Sequence, residues 1–359
     1  MTSRGSLSEY VATSEQSPGR PIVPTLHVDH APDRDLVWCA SLELAWRQLC
    51  AFIGGPLILR EPAQEDGAAA LVRALNESPV APEEVDPASC VAVGGLRTAE
   101  WLRQVESLLE QRFGGAGDAR LLSREPEPDL LGAYAYMAKT WRFRCPFQRL
   151  HGWMRFRGVD VDSFSLGDPF APGDTYSRLA RQVIVHHHRF IPDEEYGREP
   201  EAHEPSEEFV VELVTEDPAD CLVVARATPR RTLAGTVAWA VSHLREDAAA
   251  DPRAFLTREE KFEIPCIDFD RVRRYDELHG TRIANPGFEA QALGEVLERV
   301  RFRLDEGGAT LVSEAEFRGL SLPPRTIVCN GPFLVMVLRR GAPRPFLAIW
   351  IETPDLLVR

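Results

Sequence analysis

Lysine is nearly absent from this chain of 359 residues, because Lys139 and Lys261 are the only two. Arginine therefore supplies almost all of the positive charge, a usage typical of a GC-rich genome. Acidic residues outnumber basic ones by 55 to 41, which gives a formal net charge of -14 at pH 7. Phosphate-rich surfaces attract proteins of the opposite charge. The composition therefore argues against nucleic acid and against an anionic membrane as partners.

Long hydrophobic runs are also missing. No stretch of eighteen apolar residues occurs, and the first twenty residues, rich in Ser, Thr, Pro and Gly, have no apolar segment of the signal-peptide kind. Hydrophobic residues nevertheless make up 44% of the chain, enough for a sizeable core. We expect a cytoplasmic globular protein.

Cysteine pairs and the common catalytic motifs are missing as well. The cysteines are odd in number and scattered, without a C-x-x-C pair, which is typical of reduced thiols and not of a disulfide framework or zinc site. The sequence has no G-x-S-x-G, no H-E-x-x-H and no Gly-rich phosphate loop that follows a strand. We predict no cofactor. The cysteines are Cys39, Cys50, Cys90, Cys145, Cys221, Cys266 and Cys329.

The patterns that are present predict an α+β fold. Residues 1–34 have no periodicity and are expected to form a disordered or extended tail, followed by a single domain over 35–359. Residues 36–53 and 98–113 have helical spacing, and Thr98 can cap the second helix. Several apolar runs from 128 to 226 predict strands, residues 231–247 a helix, 289–300 another helix, and 332–352 a final hairpin.

Three consecutive histidines offer one candidate metal site. In a strand, His186 and His188 point to one face and His187 to the other. With His203, Glu194 or Glu195 nearby in sequence, His186 and His188 could bind zinc or iron in a metal-dependent enzyme. The alternative is a solvated strand edge beside an acidic loop. We favour the strand edge, because no third ligand lies at a diagnostic spacing.

The stretch "RFRLDEGGATLVSEAEFRGLSLPPRTIVCNGPFLVMVLRRG" places about twenty small and polar residues between two strand-like segments. Its first part resembles the proximal hinge of the reactive-centre loop in serpins, the serine peptidase inhibitors, with Glu306 and Gly308 on the pattern. Its last part is similar to that family's C-terminal strand, on which Pro332, Phe333 and Leu334 fit. The resemblance implies an exposed loop at about 307–326.

Other segments fall in the order of the same family. "AYAYMAKTWRFRCPF" resembles a main-sheet strand, with Tyr136, Trp141 and Phe147 on the pattern. Trp141 would then lie at the top of the sheet, where the loop begins to insert. Residues 99–122 are similar to the helix that crosses this sheet, and 261–288 to a strand-Pro-strand segment. The resemblance covers about residues 95–355 and implies a serpin-like fold with a shortened N-terminal helical region.

Departures from the family pattern concern how such a sheet opens. In serpins, an Asn and a His join a helix serine in a hydrogen-bonded group beneath the sheet. Those two positions are Ala133 and Glu298 here, which predicts that the group is lost. The hinge has Gly307, Gly308 and Ala309, but then Leu311, Val312 and Glu314 replace small residues. An inward Glu314 would cost several kcal/mol unless it were paired.

Two roles follow from the resemblance, neither of them enzymatic. The favoured one is a non-inhibitory protein that uses its loop to bind a protein or peptide. The alternative is a suicide inhibitor of a chymotrypsin-like or subtilisin-like peptidase, with Leu320 in the specificity pocket and Ser321 on the leaving side. Arg318 is the candidate for a trypsin-like enzyme. The metal-dependent enzyme at His186 and His188 is the third alternative.

Overall fold

The computed structural model describes residues 21–60, 67–114, 125–170, 173–190, 207–307 and 325–359. They belong to two compact units. Unit 1 consists of Met1–Thr25, Trp38–Lys139 and Arg271–Val300, and unit 2 of Leu26–Val37, Thr140–Asp270 and Arg301–Arg359. Ile22 and Val23, within the tail expected from the sequence, are buried. The single domain over 35–359 stays a prediction.

Five α-helices and fifteen strands occur in the described residues, which confirms the α+β class. The helices are α1 (Ser41–Ile53), α2 (Gly67–Asn76), α3 (Ala99–Phe113), α4 (Thr175–Ala180) and α5 (Leu233–Ser242). The first eight strands are β1 (Leu36–Cys39), β2 (Cys90–Arg97), β3 (Glu127–Met137), β4 (Gln148–Phe156), β5 (Val159–Ser165), β6 (Val183–Phe190), β7 (Glu207–Leu213) and β8 (Asp220–Arg226). The others are β9 (Lys261–Pro265), β10 (Ile267–Arg274), β11 (Ala292–Leu293), β12 (Leu297–Leu304), β13 (Thr326–Val328), β14 (Phe333–Arg339) and β15 (Leu347–Ile351). None of these helices is both long and apolar enough to cross a membrane.

Unit 1 is built from helices on a small sheet with the strand order β11-β3-β2. The Thr98 side chain accepts a hydrogen bond from the Trp101 amide, so α3 begins where the sequence predicts. Trp101, Val105 and Leu109 on α3 pack against Val91 and Tyr134 on the sheet. Helix α1 lies so close to β2 that a Cβ atom on Gly94 would overlap the Leu49 backbone.

Unit 2 contains a six-stranded sheet with the order β1-β15-β14-β8-β7-β6 and a four-stranded sheet with the order β13-β9-β5-β4. The predicted C-terminal hairpin forms, and β14 pairs antiparallel with both β15 and β8. Nearly every residue of these three strands is buried, as their two-sided apolar sequences indicate. Phe333 is fully buried, and its ring packs edge to face on Phe156.

The helix predicted over 289–300 is wrong, and the helix predicted over 36–53 begins only at Ser41, because Leu36–Cys39 form β1. Residues 292–293 form the short β11, and Leu297–Leu304 form β12, which pairs with β10. The sequence "LERVRFRL" has a period of two, with Glu298, Val300, Phe302 and Leu304 all buried and the residues between them more exposed. Glu298 therefore occupies a core-facing position of a strand.

Candidate functional site

The candidate loop is described at its two ends only. Glu306 and Gly307 are the last residues described before it, and Arg325 is the first after it. The other predicted loop and hinge residues lie outside the described residues: Gly308, Ala309, Leu311, Val312, Glu314, Arg318, Leu320 and Ser321. The described part of the site therefore consists of the residues that contact these two ends.

The near end of the loop is held by side-chain and backbone bonds. Arg149 donates to the Glu306 carboxylate, with 3.1 Å between Nη1 and Oε2. The Phe147 amide donates to the Glu306 carbonyl oxygen at 3.0 Å, and the Phe143 amide to that of Gly307 at 3.4 Å. Asp305 accepts from the Gly307 amide at 2.8 Å. The direction in which the chain leaves β12 is therefore fixed.

Arg149 is shared between two carboxylates. Besides Glu306, it donates to Asp162 through Nη2 at 2.9 Å and Nε at 3.3 Å. The hydrogen bond to Asp162, followed by the smaller contribution of Glu306, raises the pKa of Arg149 despite partial burial. Burial acts to raise the pKa of Asp162, but hydrogen bonds from Arg149, His151 and the Gly152 amide outweigh it and lower it. The ion pair stays charged over the whole physiological range.

The far end of the loop is held by a second ion pair. Arg325 forms a two-pronged contact with Glu260, in which Nη2 lies 2.9 Å from Oε2. Its guanidinium also donates to the carbonyl oxygens of Arg253 and Phe255, at 3.1 and 2.8 Å. Burial alone would raise the pKa of Glu260, but the bonds from Arg325 and the Thr257 amide lower it. β13 then begins at once, parallel to β9.

Trp141, predicted to lie at the top of the main sheet, makes a hydrogen bond through its indole nitrogen and a stacking contact through its ring. Its indole nitrogen donates to Asp220 Oδ2 at 2.8 Å. Its ring stacks on Phe346 at 6.2 Å between centroids. The partner Asp220 is 3% exposed, so an indole at this position compensates a buried carboxylate. Whether Trp141 meets an inserting loop stays a prediction.

The histidines of β6 are not brought together. A bulge interrupts the ladder between Val185 and His187, so the simple alternation expected from the sequence fails here. His186 is buried: its Nδ1 accepts from the Arg245 amide at 3.1 Å, which leaves Nε2 to donate to Glu212 at 3.2 Å. Both ring nitrogens of His186 are therefore engaged.

His188 bonds a different carboxylate from His186. Its Nε2 lies 3.2 Å from Glu207, which also accepts from the Thr326 amide at 3.1 Å, at the far end of the loop. His203, Glu194 and Glu195 lie outside the described residues. Among the residues that the structure describes, no group of three potential ligands could hold a metal ion. These contacts give His186 and His188 structural partners and leave the metal hypothesis without support.

Glu298 is the centre of a buried polar group in unit 1. It accepts hydrogen bonds from Ser41 Oγ at 3.1 Å and from the Tyr275 hydroxyl at 2.7 Å. Burial raises the pKa of Glu298 to about 7, and Glu43 adds to this effect, while the two hydroxyl donors act against it. Glu43 itself accepts from Trp38 and Ser78. The sequence predicts the loss of a hydrogen-bonded group here, but Glu298 forms a new one.

Sequence reasoning missed the residues that hold the loop ends, namely Arg149, Asp162, Glu260 and Arg325. Single charged residues are abundant in this chain and carry no recognisable pattern. The partners are also distant in sequence, since Arg149 and Glu306 are separated by 157 positions. One signal was available for Glu298: a carboxylate at an inward position of a strand with a period of two predicts a buried, compensated charge.

Comparisons with known proteins gave structural likenesses only. No family model matches the chain, and no curated protein shows a significant match. A serpin from the trematode Schistosoma haematobium has a TM-score of 0.46 and 10% identity, with 90% of this chain and 94% of that chain covered. Thyroxine-binding globulin in complex with thyroxine has a TM-score of 0.46, 11% identity and the same coverages. Serpin-12 of Manduca sexta has a TM-score of 0.46 and 11% identity, with 92% and 95% covered.

With TM-scores below 0.5 and identities near 10%, the likeness is too loose to transfer a function, a partner or a residue role. The chain's own residues must carry the functional assignment.

Proposed function

We propose that this chain is a serpin-like protein in which residues 308–324 form a loop that binds a protein or peptide without inserting into a sheet. The observation that carries this proposal is the double anchoring of the segment. Arg149 and two backbone amides hold its near end, while Arg325 and Glu260 hold its far end. Binding loops positioned by a rigid scaffold have this construction.

The composition of the segment supports presentation on the surface. Pro323 and Pro324 cannot donate to a sheet ladder, and Gly307, Gly308 and Gly319 favour irregular backbone. Long segments of this kind within compact domains tend to be functional. A protein partner is therefore a better explanation than a passive connection.

Two features favour binding over insertion. An inserting strand would need small residues at its inward positions, whereas this segment has Leu311, Val312 and Glu314. In unit 1, Glu298 links β12 to the first residue of α1 through Ser41, and both residues are buried. A sheet that opened at β12 would expose this carboxyl group to solvent or leave it buried without a hydrogen-bond partner. Losing the partners of a buried polar group costs free energy.

The experiment that tests the proposal is limited proteolysis of the purified chain with chymotrypsin, trypsin and subtilisin. We expect the first cut between residues 308 and 324, at Leu320 with chymotrypsin or Arg318 with trypsin. We expect no peptidase complex that survives denaturation, and a nicked protein with an unchanged or lower Tm. Leu320→Asp should remove the cut at Leu320 and leave the trypsin cut at Arg318 in place.

Two outcomes would contradict the proposal. A covalent complex, or a large rise in Tm after nicking, would identify a metastable sheet and a suicide inhibitor, because only such a sheet gains stability when its loop is cut. If none of the three peptidases cut within 308–324 while the folded chain was cut elsewhere, residues 308–324 would not be a presented loop.

A further inference from the structure

Strand β4 of unit 2 contains a wide bulge. It pairs antiparallel with β5, and the register places Leu150 opposite Ser163 but Met154 opposite Val161. Three residues of β4, His151, Gly152 and Trp153, therefore lie opposite one residue of β5. Gly152 has a φ of 63°, a value that side-chain-bearing residues rarely adopt. The bulge therefore depends on a glycine in its middle.

Asp162 is the residue of β5 that faces this bulge, and its carboxylate holds it in place. Oδ1 accepts from the Gly152 amide at 3.0 Å. Oδ2 lies 3.0 Å from His151 Nδ1 and accepts from Arg149 at 2.9 Å. Asp162 is 7% exposed, so these are well-shielded bonds. Because several hydrogen bonds stabilise the bulge, it is a defined structural feature of β4 and not a local irregularity.

The bulge turns an aromatic side chain out into solvent. Trp153 is 81% exposed, whereas its neighbour Met154 is 3% exposed. His151 and Arg155 are also exposed, so two side chains that can carry positive charge flank the exposed ring along β4. Exposed tryptophan is rare on free surfaces and is enriched at binding hot spots, where arginine often accompanies it.

The outer edge of β4 is open in the part of the chain that the structure describes. β4 is the last strand of the four-stranded sheet, and its ladder runs to β5 alone. Arg155 makes one long hydrogen bond, 3.4 Å from Nε to the Gly158 carbonyl oxygen, and no ion pair with a described residue. An open edge with unpaired backbone groups accepts an added extended strand.

We propose that the outer edge of β4 is a docking site for an extended, acidic peptide segment of a partner protein. Trp153 would pack on an apolar side chain of that segment, and Arg155 and His151 would face its carboxylates. Charge complementarity selects this occupant. A second copy would bring another cationic β4 against the first, and nucleic acid has no peptide backbone that could pair with a strand edge. The inference is independent of residues 308–324.

The test uses the full chain and a fluorescein-labelled peptide of about eight residues, the length of an ordinary strand, in which Glu alternates with Val. Binding is measured by fluorescence anisotropy. We expect saturable binding that weakens roughly tenfold in Trp153→Ala and in Arg155→Glu, the size expected for hot-spot residues. It should also weaken between about 0.05 M and about 0.5 M salt, because the contacts are exposed charges.

Matched controls separate docking from general effects. Phe170→Ala removes another exposed aromatic residue of unit 2, 84% exposed, and should leave binding unchanged. A peptide with Lys in place of Glu should not bind, and an acidic peptide with alternate N-methylated amides should bind poorly, because it cannot form a ladder. Trp153 and Arg155 are on the surface, so their variants should keep the wild-type Tm.

Four results would overturn the proposal. The first is absence of saturable binding of the acidic peptide to the wild-type chain. The second is binding of that peptide by Trp153→Ala as tight as by the wild type, and the third is equal binding of the Lys peptide. The fourth is concentration-dependent dimerisation in sedimentation that Trp153→Ala abolishes, since the occupant of the edge would then be a second copy.

Discussion

At the scale of single residues, the buried carboxylates of this chain differ in the partners that compensate them, because a buried charge needs hydrogen bonds or an opposite charge. Glu260 and Asp162 are paired with arginines, which holds the pKa of each carboxyl below its ordinary value. Among the described residues, the hydrogen-bond donors to Glu298 are the hydroxyls of Ser41 and Tyr275, and burial raises its pKa to about 7. The pKa of a carboxyl group is therefore lowered at some positions of this chain and raised at another, depending on its partners.

The raised pKa of Glu298 predicts a stability that depends on pH. An unfolded glutamate releases its proton near pH 4.5, whereas the folded Glu298 keeps it up to about pH 7. The stabilising contribution is therefore complete below pH 4.5 and is lost as pH rises to about 7. The shift corresponds to about 3 kcal/mol. Urea unfolding at a series of pH values measures this loss. As pH rises from 4.5 to about 7, the unfolding free energy of Glu298→Gln should increase relative to that of the wild type by about this amount.

A matched control for this prediction is Glu106→Gln on the exposed side of α3. Its unfolding free energy should stay parallel to that of the wild type at every pH. If the difference between Glu298→Gln and the wild type were also constant with pH, Glu298 would titrate as an ordinary glutamate and the buried group would have no proton linkage.

At the scale of elements, local sequence patterns predicted most helices and strands because each pattern depends on neighbours only. Thr98 caps α3 as expected, and the apolar runs of β7, β8, β14 and β15 form strands. The failure at residues 289–300 has an equally local cause. Its apolar residues fit a helical spacing in part, but a period of two over "LERVRFRL" fits β12 better. Pairing with β10 decided between these two periods.

The packing of α1 on β2 gives a prediction at this scale. Gly94→Ala would place a methyl group inside the backbone of Gln48 and Leu49, and backbone cannot move aside as a flexible side chain can. We expect a loss of about 3 kcal/mol in unfolding free energy, the upper part of the range for overpacking. Thermal and urea unfolding measure it.

Gly55→Ala, just beyond the end of α1, is the comparison variant. A Cβ atom there meets nothing within 4 Å, so its effect should stay within about 0.5 kcal/mol. A loss of similar size in both variants would show that helix propensity or the unfolded state causes it, and not the close approach of α1 to β2.

At the scale of the whole molecule, acidification from pH 7 should lower the solubility of the chain while it raises the free energy of unfolding. The isoelectric point of the sequence is about 5.2, so acidification from pH 7 removes the self-repulsion of a chain of net charge -14. We expect light scattering to rise as pH approaches 5.2, while protonation of Glu298 increases the unfolding free energy. Glu298→Gln should scatter like the wild type but lose that gain.

Scattering that stayed flat through pH 5.2 would contradict the charge argument. If Glu298→Gln changed the scattering curve as well, the buried carboxyl group would affect association and not only folding. Measurements in about 0.5 M salt serve as the reference, because screening should reduce the dependence of scattering on net charge.

The sequence by itself determined the α+β class, the positions of most strands and the C-terminal hairpin, since periodicity and capping act between residues close in the chain. Composition and the family resemblance also predicted an exposed loop at about 307–326, which stays a prediction. Only the tertiary structure decided which charges meet. Arg149 lies 13 positions from Asp162 and 157 from Glu306, and Ser41 lies 257 from Glu298. Such pairs follow from how strands are ordered in a sheet, and no local pattern in a sequence records that order.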